Sequence, residues 1–152
     1  MKPVFSQTYK VSKTFNAPLG FVYDWCTDFA EDDMKMIGSK RIRNLHEKTK
    51  ARVIWTVEGK DLKGKTDPVR VVWLRPPNAW HLETCGDGSE VGDYKLASIG
   101  KNRSRLDMVF TETFASKSEV PSKKELLDVA VDHWEGYGAA LERDYRKSLR
   151  VK

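Results

Sequence analysis

Apolar and polar positions recur with two different periods along this chain of 152 residues, and the change of period divides it. From Ser122 to Lys152 the apolar residues return every three or four positions. Leu127, Ala130, Val131, Trp134, Tyr137, Gly138, Leu141, Tyr145 and Leu149 form one stripe of a helix, with Asp128, Asp132, Glu135, Glu142, Arg143, Arg146 and Lys147 opposite. Ser122 followed by Glu125 has the form of a capping box, and Pro121 ends whatever precedes it. At ~1.5 Å per residue such a helix spans a small domain, so its stripe needs a partner of equal length.

The rest of the chain supplies that partner as strands of period two. Phe5 to Phe15 sets Phe5, Tyr9, Val11 and Phe15 against Ser6, Thr8, Lys10, Ser12 and Thr14, with Lys13 interrupting the apolar side. Asn16-Ala17-Pro18 then opens a short helix with Phe21, Val22 and Trp25 on its apolar side. A second short helix is predicted from Ala30 to Met36, with acids at its start and Gly38 at its end. Six strands follow, over Lys40–Lys48, Ala51–Glu58, Pro68–Arg75, Ala79–Cys85, Gly92–Ile99 and Arg105–Phe114. They are separated by turns at Gly59–Gly64, Pro76-Pro77-Asn78, Gly86-Asp87-Gly88 and Gly100-Lys101-Asn102. This spacing predicts an antiparallel meander.

Size and charge narrow the picture. A chain of this length is expected to form a single domain, 1–152, with a core that needs no disulfide or metal. Cys26 and Cys85 are not in CxxC spacing and read as reduced thiols of a cytoplasmic protein. Lys and Arg number 27 against 22 Asp and Glu, a net charge of +5. That excess is spread along the chain as on a solvated surface, which argues against a nucleic-acid partner. No stretch has transmembrane length, so no stable membrane insertion is expected.

The order of elements, the stretch Phe15-Asn16-Ala17-Pro18-Leu19-Gly20-Phe21-Val22-Tyr23-Asp24-Trp25, the Leu74-Arg75-Pro76-Pro77 turn before Trp80, and a last strand rich in Phe carry a resemblance. Over essentially its whole length the chain resembles the Bet v 1-like helix-grip superfamily, the START or SRPBCC group, and within it the polyketide cyclase/dehydrase-like branch. The resemblance implies an α+β helix-grip fold. A curved seven-stranded antiparallel sheet would wrap a long C-terminal helix, with two short helices after the first strand (β-α-α-β6-α). It also implies a cavity between sheet and helix, used in the family for lipids, sterols, hormones, polyketides or hydrophobic cofactors.

Alternation directs Val53, Trp55, Trp80, Leu82, Tyr94, Leu96, Leu106, Met108 and Phe110 toward that space, and the helix adds Trp134, Tyr137 and Leu141. The expected ligand-binding residues are thus Trp55, Trp80, Leu82, Tyr94, Leu96, Met108, Phe110, Trp134, Tyr137 and Leu141. Large aromatics with polar tips suit a pocket that is apolar yet orients its guest. Glu112 continues the inward series Leu106, Met108, Phe110 and is the candidate acid/base; a strand end at the rim would instead leave it in water. His46 shares a side with Ile42 and Asn44 and is expected at the cavity mouth as a hydrogen-bonded structural residue. His133 falls at the edge of the helix stripe.

The three histidines lie on separate elements without metal-ligand spacing, so no metal site is predicted. No GxSxG, Cys/His pair or glycine-rich phosphate loop occurs, and no cofactor is expected. The leading reading is binding or transport of a small hydrophobic molecule of lipid, polyketide or aromatic type. The alternative is a polyketide cyclase/dehydratase-like enzyme acting in the same cavity, assisted by Glu112 or Tyr94. A third reading is an interaction module with a protein partner, using the surface instead of the cavity.

Overall fold

The computed structural model describes residues 5–29, 42–58, 69–85, 89–114 and 116–150. Seven strands are present: β1 (Phe5–Phe15), β2 (Ile42–Lys48), β3 (Arg52–Glu58), β4 (Val69–Arg75), β5 (Ala79–Cys85), β6 (Glu90–Gly100) and β7 (Arg103–Phe114). They form one antiparallel sheet in the order β1-β7-β6-β5-β4-β3-β2. Helix α1 (Leu19–Cys26) follows β1, and a 3-10 turn at Lys117–Glu119 leads into the long helix α2 (Lys123–Arg150). This is the helix-grip architecture that the sequence implies. The second short helix predicted over Ala30–Met36 lies outside the described residues, as do the turns at Gly59–Gly64 and Gly86-Asp87-Gly88.

Side chains on a pleated strand alternate between faces, so the registers arrange the concave face in rows across the sheet. One row runs Tyr9, Phe110, Gly92, Leu82, Val72, Val53. The next runs Val11, Met108, Tyr94, Trp80, Leu74, and the one beyond it Lys13, Leu106, Leu96. On the other side of the Tyr9 row, Gln7, Glu112 and Glu90 stand abreast. Each row is an inward set because its strands obey strict alternation.

Helix α2 covers these rows in two different ways. Toward its C-terminal half, Gly138, Ala140 and Leu141 are buried against the Lys13 and Phe15 end of the sheet. A Cβ on Gly138 would sit 2.7 Å from Cε of Lys13, so the absent side chain is what lets the Lys13 stem cross the helix. Lys13 thus covers apolar surface at the interruption noted in the β1 pattern. Polar ties fix the same end. The Asn16 amide donates to Oε2 of Glu142 at 2.8 Å, and Nε1 of Trp25 donates to Oδ2 of Asp144 at 2.9 Å, while Phe21 meets Tyr145 edge to face. At the start of α2, the Glu125 amide donates to Oγ of Ser122, which is half of the expected capping box.

Two members of the expected stripe are not buried. Val131 and Leu149 are 45% and 53% exposed, whereas Leu126, left out of the stripe, packs against the core. At about 100° per residue, Val131 and Leu149 fall on the same edge of the stripe, the edge turned away from the sheet.

Leu141 is fully buried where α2 is held tightest. Leu141→Ala is expected to cost ~2–5 kcal/mol in urea unfolding. A loss under ~1 kcal/mol would mean that α2 is not anchored there.

Candidate ligand cavity

Toward the N-terminal half of α2, sheet and helix part. A cavity of about 510 Å³ lies between Leu126, Ala130, Trp134 and Tyr137 of the helix and the Tyr9 and Trp80–Tyr94 rows of the sheet. Val129 lines it while 69% exposed, which marks where it meets solvent. One wall is a connected set of rings. Tyr94 stacks on Trp80 with centroids 4.8 Å apart and meets Phe110 edge to face at 5.5 Å. Trp134 approaches Tyr94 from the helix at 6.4 Å and touches Tyr137 at 5.4 Å. A Cβ on Gly92 would come within 3.0 Å of the Tyr94 ring and 3.2 Å of Phe110, so the glycine gives those rings their place.

A second wall comes from the segment after α1 and from β2 and β3. Phe29 stacks on Trp55 at 4.9 Å, and the Arg43 guanidinium lies over both rings, 5.3 Å and 4.8 Å from their centroids. Phe29 has φ of 46°, a left-handed backbone that costs a bulky residue about 1–3 kcal/mol and concentrates at binding sites.

The polar groups gather at the Gln7–Glu112–Glu90 row. Tyr9 donates its hydroxyl to Oε2 of Glu112 at 3.1 Å. Glu90 stands opposite Glu112 in register; burial raises its pKa first, the Glu112 charge raises it further, and Arg70 opposes both. Burial, followed by the charge of Glu112, pushes the Tyr9 hydroxyl up; burial, followed by Glu90, does the same for Tyr94. The Tyr94 hydroxyl has the cavity-lining groups Glu90, Tyr9, Cys26 and Tyr137 around it and makes no hydrogen bond among the described residues. Burial also raises the Cys26 thiol. His133, at the mouth with its ring against Tyr137, is held below its ordinary pKa by desolvation, with Asp132 opposing.

Of the residues expected to face the cavity, Trp55, Trp80, Leu82, Tyr94, Phe110, Trp134 and Tyr137 line it, and so does Glu112. Leu96, Met108 and Leu141 do not: each is at most 1% exposed and lies in the packed core. Val53 and Leu106 are likewise core residues. Their parity is inward as expected, but Leu96 and Leu106 share the row of Lys13, which lies at the end where α2 sits directly on the sheet. His46 is not at the mouth. It is exposed, with Nε2 2.8 Å from Oγ1 of Thr56, and Asn44 pairs with Thr56 in register. The inward positions of β2 are Arg43 and Leu45, and a bulge between Leu45 and Glu47 resets the alternation.

Glu90, Tyr9, Arg43 and Phe29 are lining residues that the sequence reading missed. Glu90 had a readable signal, since stepping back by two from Leu96, Tyr94 and Gly92 reaches it. Arg43 had none, because a charged residue in an edge strand reads as outward.

No family model matches the chain, and no curated protein sequence matches it. Solved structures do. Zhui aromatase/cyclase from Streptomyces sp. R1128 superposes with a TM-score of 0.69 at 13% identity, covering 97% of both chains. Ara h 8.0201 gives a TM-score of 0.72 at 13% identity over 94% of this chain and 99% of that one. Norcoclaurine synthase from Thalictrum flavum gives 0.64 at 6% identity over 92% and 86%. These likenesses establish the helix-grip fold of the Bet v 1-like, START and SRPBCC proteins for this chain.

The raised pKa of Glu90 has a consequence for stability. Its proton is held more tightly in the folded protein than in the unfolded chain, so the contribution to stability is full below the ordinary value of 4.5 and is lost as pH rises above it. Glu90→Gln, which cannot ionise, is expected to melt above the parent protein at neutral pH. The gap should close as pH falls toward 4.5. A variant that melts lower at neutral pH would show that Arg70 outweighs burial.

Proposed function

We propose that the protein binds a small hydrophobic molecule of lipid, polyketide or aromatic type in this cavity. The observation that carries the reading is the make-up of the hollow: about 510 Å³ walled by stacked rings, with the Tyr9 hydroxyl and the Glu112 and Glu90 carboxylates together at one end. Protein interiors leave few voids larger than a water molecule, and the residues around a larger one forgo contacts that a guest would restore. The Tyr94 hydroxyl, on a cavity-lining residue and without a hydrogen bond among the described residues, gives such a guest a polar contact. Among the described residues no helix is long and apolar enough to cross a membrane.

One observation favours an enzyme acting on the same guest. Glu112 and Glu90 lie side by side, with the Tyr9 hydroxyl on Glu112. A cyclisation with loss of water needs a base to take a proton beside a carbonyl and an acid to protonate the departing hydroxyl. Glu112 as base and Glu90, whose pKa burial raises, as acid would supply both from one wall.

Four measurements bear on these readings. Native mass spectrometry of protein purified from its source should retain an apolar adduct. Binding of that compound, or of a hydrophobic dye, should change tryptophan emission, because Trp55, Trp80 and Trp134 all line the cavity; no spectral response would count against the cavity as the site. Trp134→Ala should weaken dye binding by about tenfold with little change in melting temperature. A stability loss of ~3–5 kcal/mol would mark Trp134 as a packing residue instead. For the enzyme, Glu112→Gln should abolish turnover while leaving dye binding and folding intact.

A further inference from the structure

The chain carries a net charge of +5, yet the wall of its cavity has the opposite sign. Among the described residues its charged side chains are Asp28, Glu90, Glu112 and Asp144, against the single guanidinium of Arg43. His133 adds no positive charge at neutral pH, since desolvation lowers its pKa. Two of the four carboxylates have other duties. Asp28 is mostly in solvent, 3.7 Å from the Lys48 ammonium, and Asp144 accepts from the Trp25 indole. Glu90 and Glu112 remain, in register on adjacent strands and facing the hollow.

Such a pair is costly in an enclosed apolar space unless a positive charge meets it. Arg70, on β4, opposes the field at Glu90 without cancelling it. Near Glu90 stand the Tyr94 hydroxyl, which has no hydrogen-bond partner among the described residues, and the stacked faces of Tyr94 and Trp80. An anionic head would be repelled there. Tyr9 donates to one oxygen of Glu112, but a purely hydrocarbon guest would bring no charge to meet the pair. A protonated nitrogen meets the charge of the pair: it donates to the carboxylates, the tyrosine oxygen offers it a further acceptor, and the neighbouring rings attract it through their faces.

We infer that the cavity selects a molecule bearing a protonated amine on an apolar or aromatic body, with Glu90 and Glu112 as its counter-charge. The inference rests on the cavity being a ligand site, as proposed above. The amine lies at the Glu112 end, and its apolar body runs along Tyr94, Trp80 and Trp134.

Isothermal titration calorimetry with three probes of one shape tests this: 4-phenylbutylamine, 4-phenylbutan-1-ol and 4-phenylbutyrate, whose heads are cationic, neutral and anionic. The amine is expected to bind about tenfold or more tighter than the alcohol, as charge-assisted hydrogen bonds imply, and the carboxylate weakest. In the Glu90→Gln/Glu112→Gln double variant the amine should lose that advantage while the alcohol binds as before. Each single variant, checked for folding by circular dichroism, should lose part of it, and the comparison within the parent protein needs no variant. Binding of the alcohol or the carboxylate as tight as the amine overturns the inference and leaves the cavity reading standing. An amine preference that survives in the glutamine variants also overturns it. Failure of all three probes to bind overturns both.

Discussion

Everything distinctive about this molecule depends on where α2 touches the sheet and where it does not. In the first half of the helix Leu126, Leu127 and Ala130 are only partly buried against the core, and the helix is packed most closely at its other end. There Gly138 lets the Lys13 stem cross, Leu141 is fully buried, and Glu142, Asp144 and Tyr145 tie α2 to Asn16, Trp25 and Phe21. A curved sheet gripped at one end by a stiff rod diverges from it at the other. The space so opened follows from backbone geometry, and the residues on either side did not need to shrink to make it. Large rings therefore line the hollow instead of filling it.

The rows of the sheet translate that divergence into chemistry. Leu96 and Leu106, which share the row of Lys13, lie under the anchored end and are packed solid. In the rows of Tyr94 and Phe110, under the diverging end, Tyr9, Phe110, Leu82, Tyr94 and Trp80 become wall, while Met108, Val53 and Val72 stay in the core. The row of Glu112 and Glu90 lies beyond them, where inward-facing carboxylates have open space instead of a hydrocarbon neighbour. One alternation rule thus yields core, wall and polar end along the same strands, with the open space growing away from the anchored end.

This explains what could be read from the residues alone. Strands β5 and β7 were legible from their alternation, which in β7 separates a buried face from a wetter one, so Trp80, Leu82, Met108, Phe110 and even Glu112 were given their correct side. Helix α2 was legible from its period, apart from the edge carrying Val131 and Leu149. The division of inward residues between core and cavity was not legible. Leu96 and Tyr94 have the same parity on the same strand, and only the tilt of a distant helix separates their fates. Arg43 was hidden for a different reason. Its burial is supported by rings on two other segments, Phe29 and Trp55, and pattern within β2 carries no trace of them.

The polar end also bears on whether binding and catalysis are separate readings. Two carboxylates that share one field can answer it in two ways, by holding a proton between them or by admitting a cation. With a proton, Glu90 is an acid beside the base Glu112, as general acid–base chemistry requires. With an ammonium group in place, both are counter-charges, and neither has a proton to give. The same residues therefore support turnover of a neutral guest or retention of a cationic one, and the charge on the guest decides between them. A molecule whose amine is needed for the reaction would have to place it at the Arg43 and Phe29 wall to leave the pair free, where the guanidinium over those rings opposes it. On electrostatic grounds, then, an amine at the Glu112 end favours a binding protein, and catalysis favours a neutral substrate.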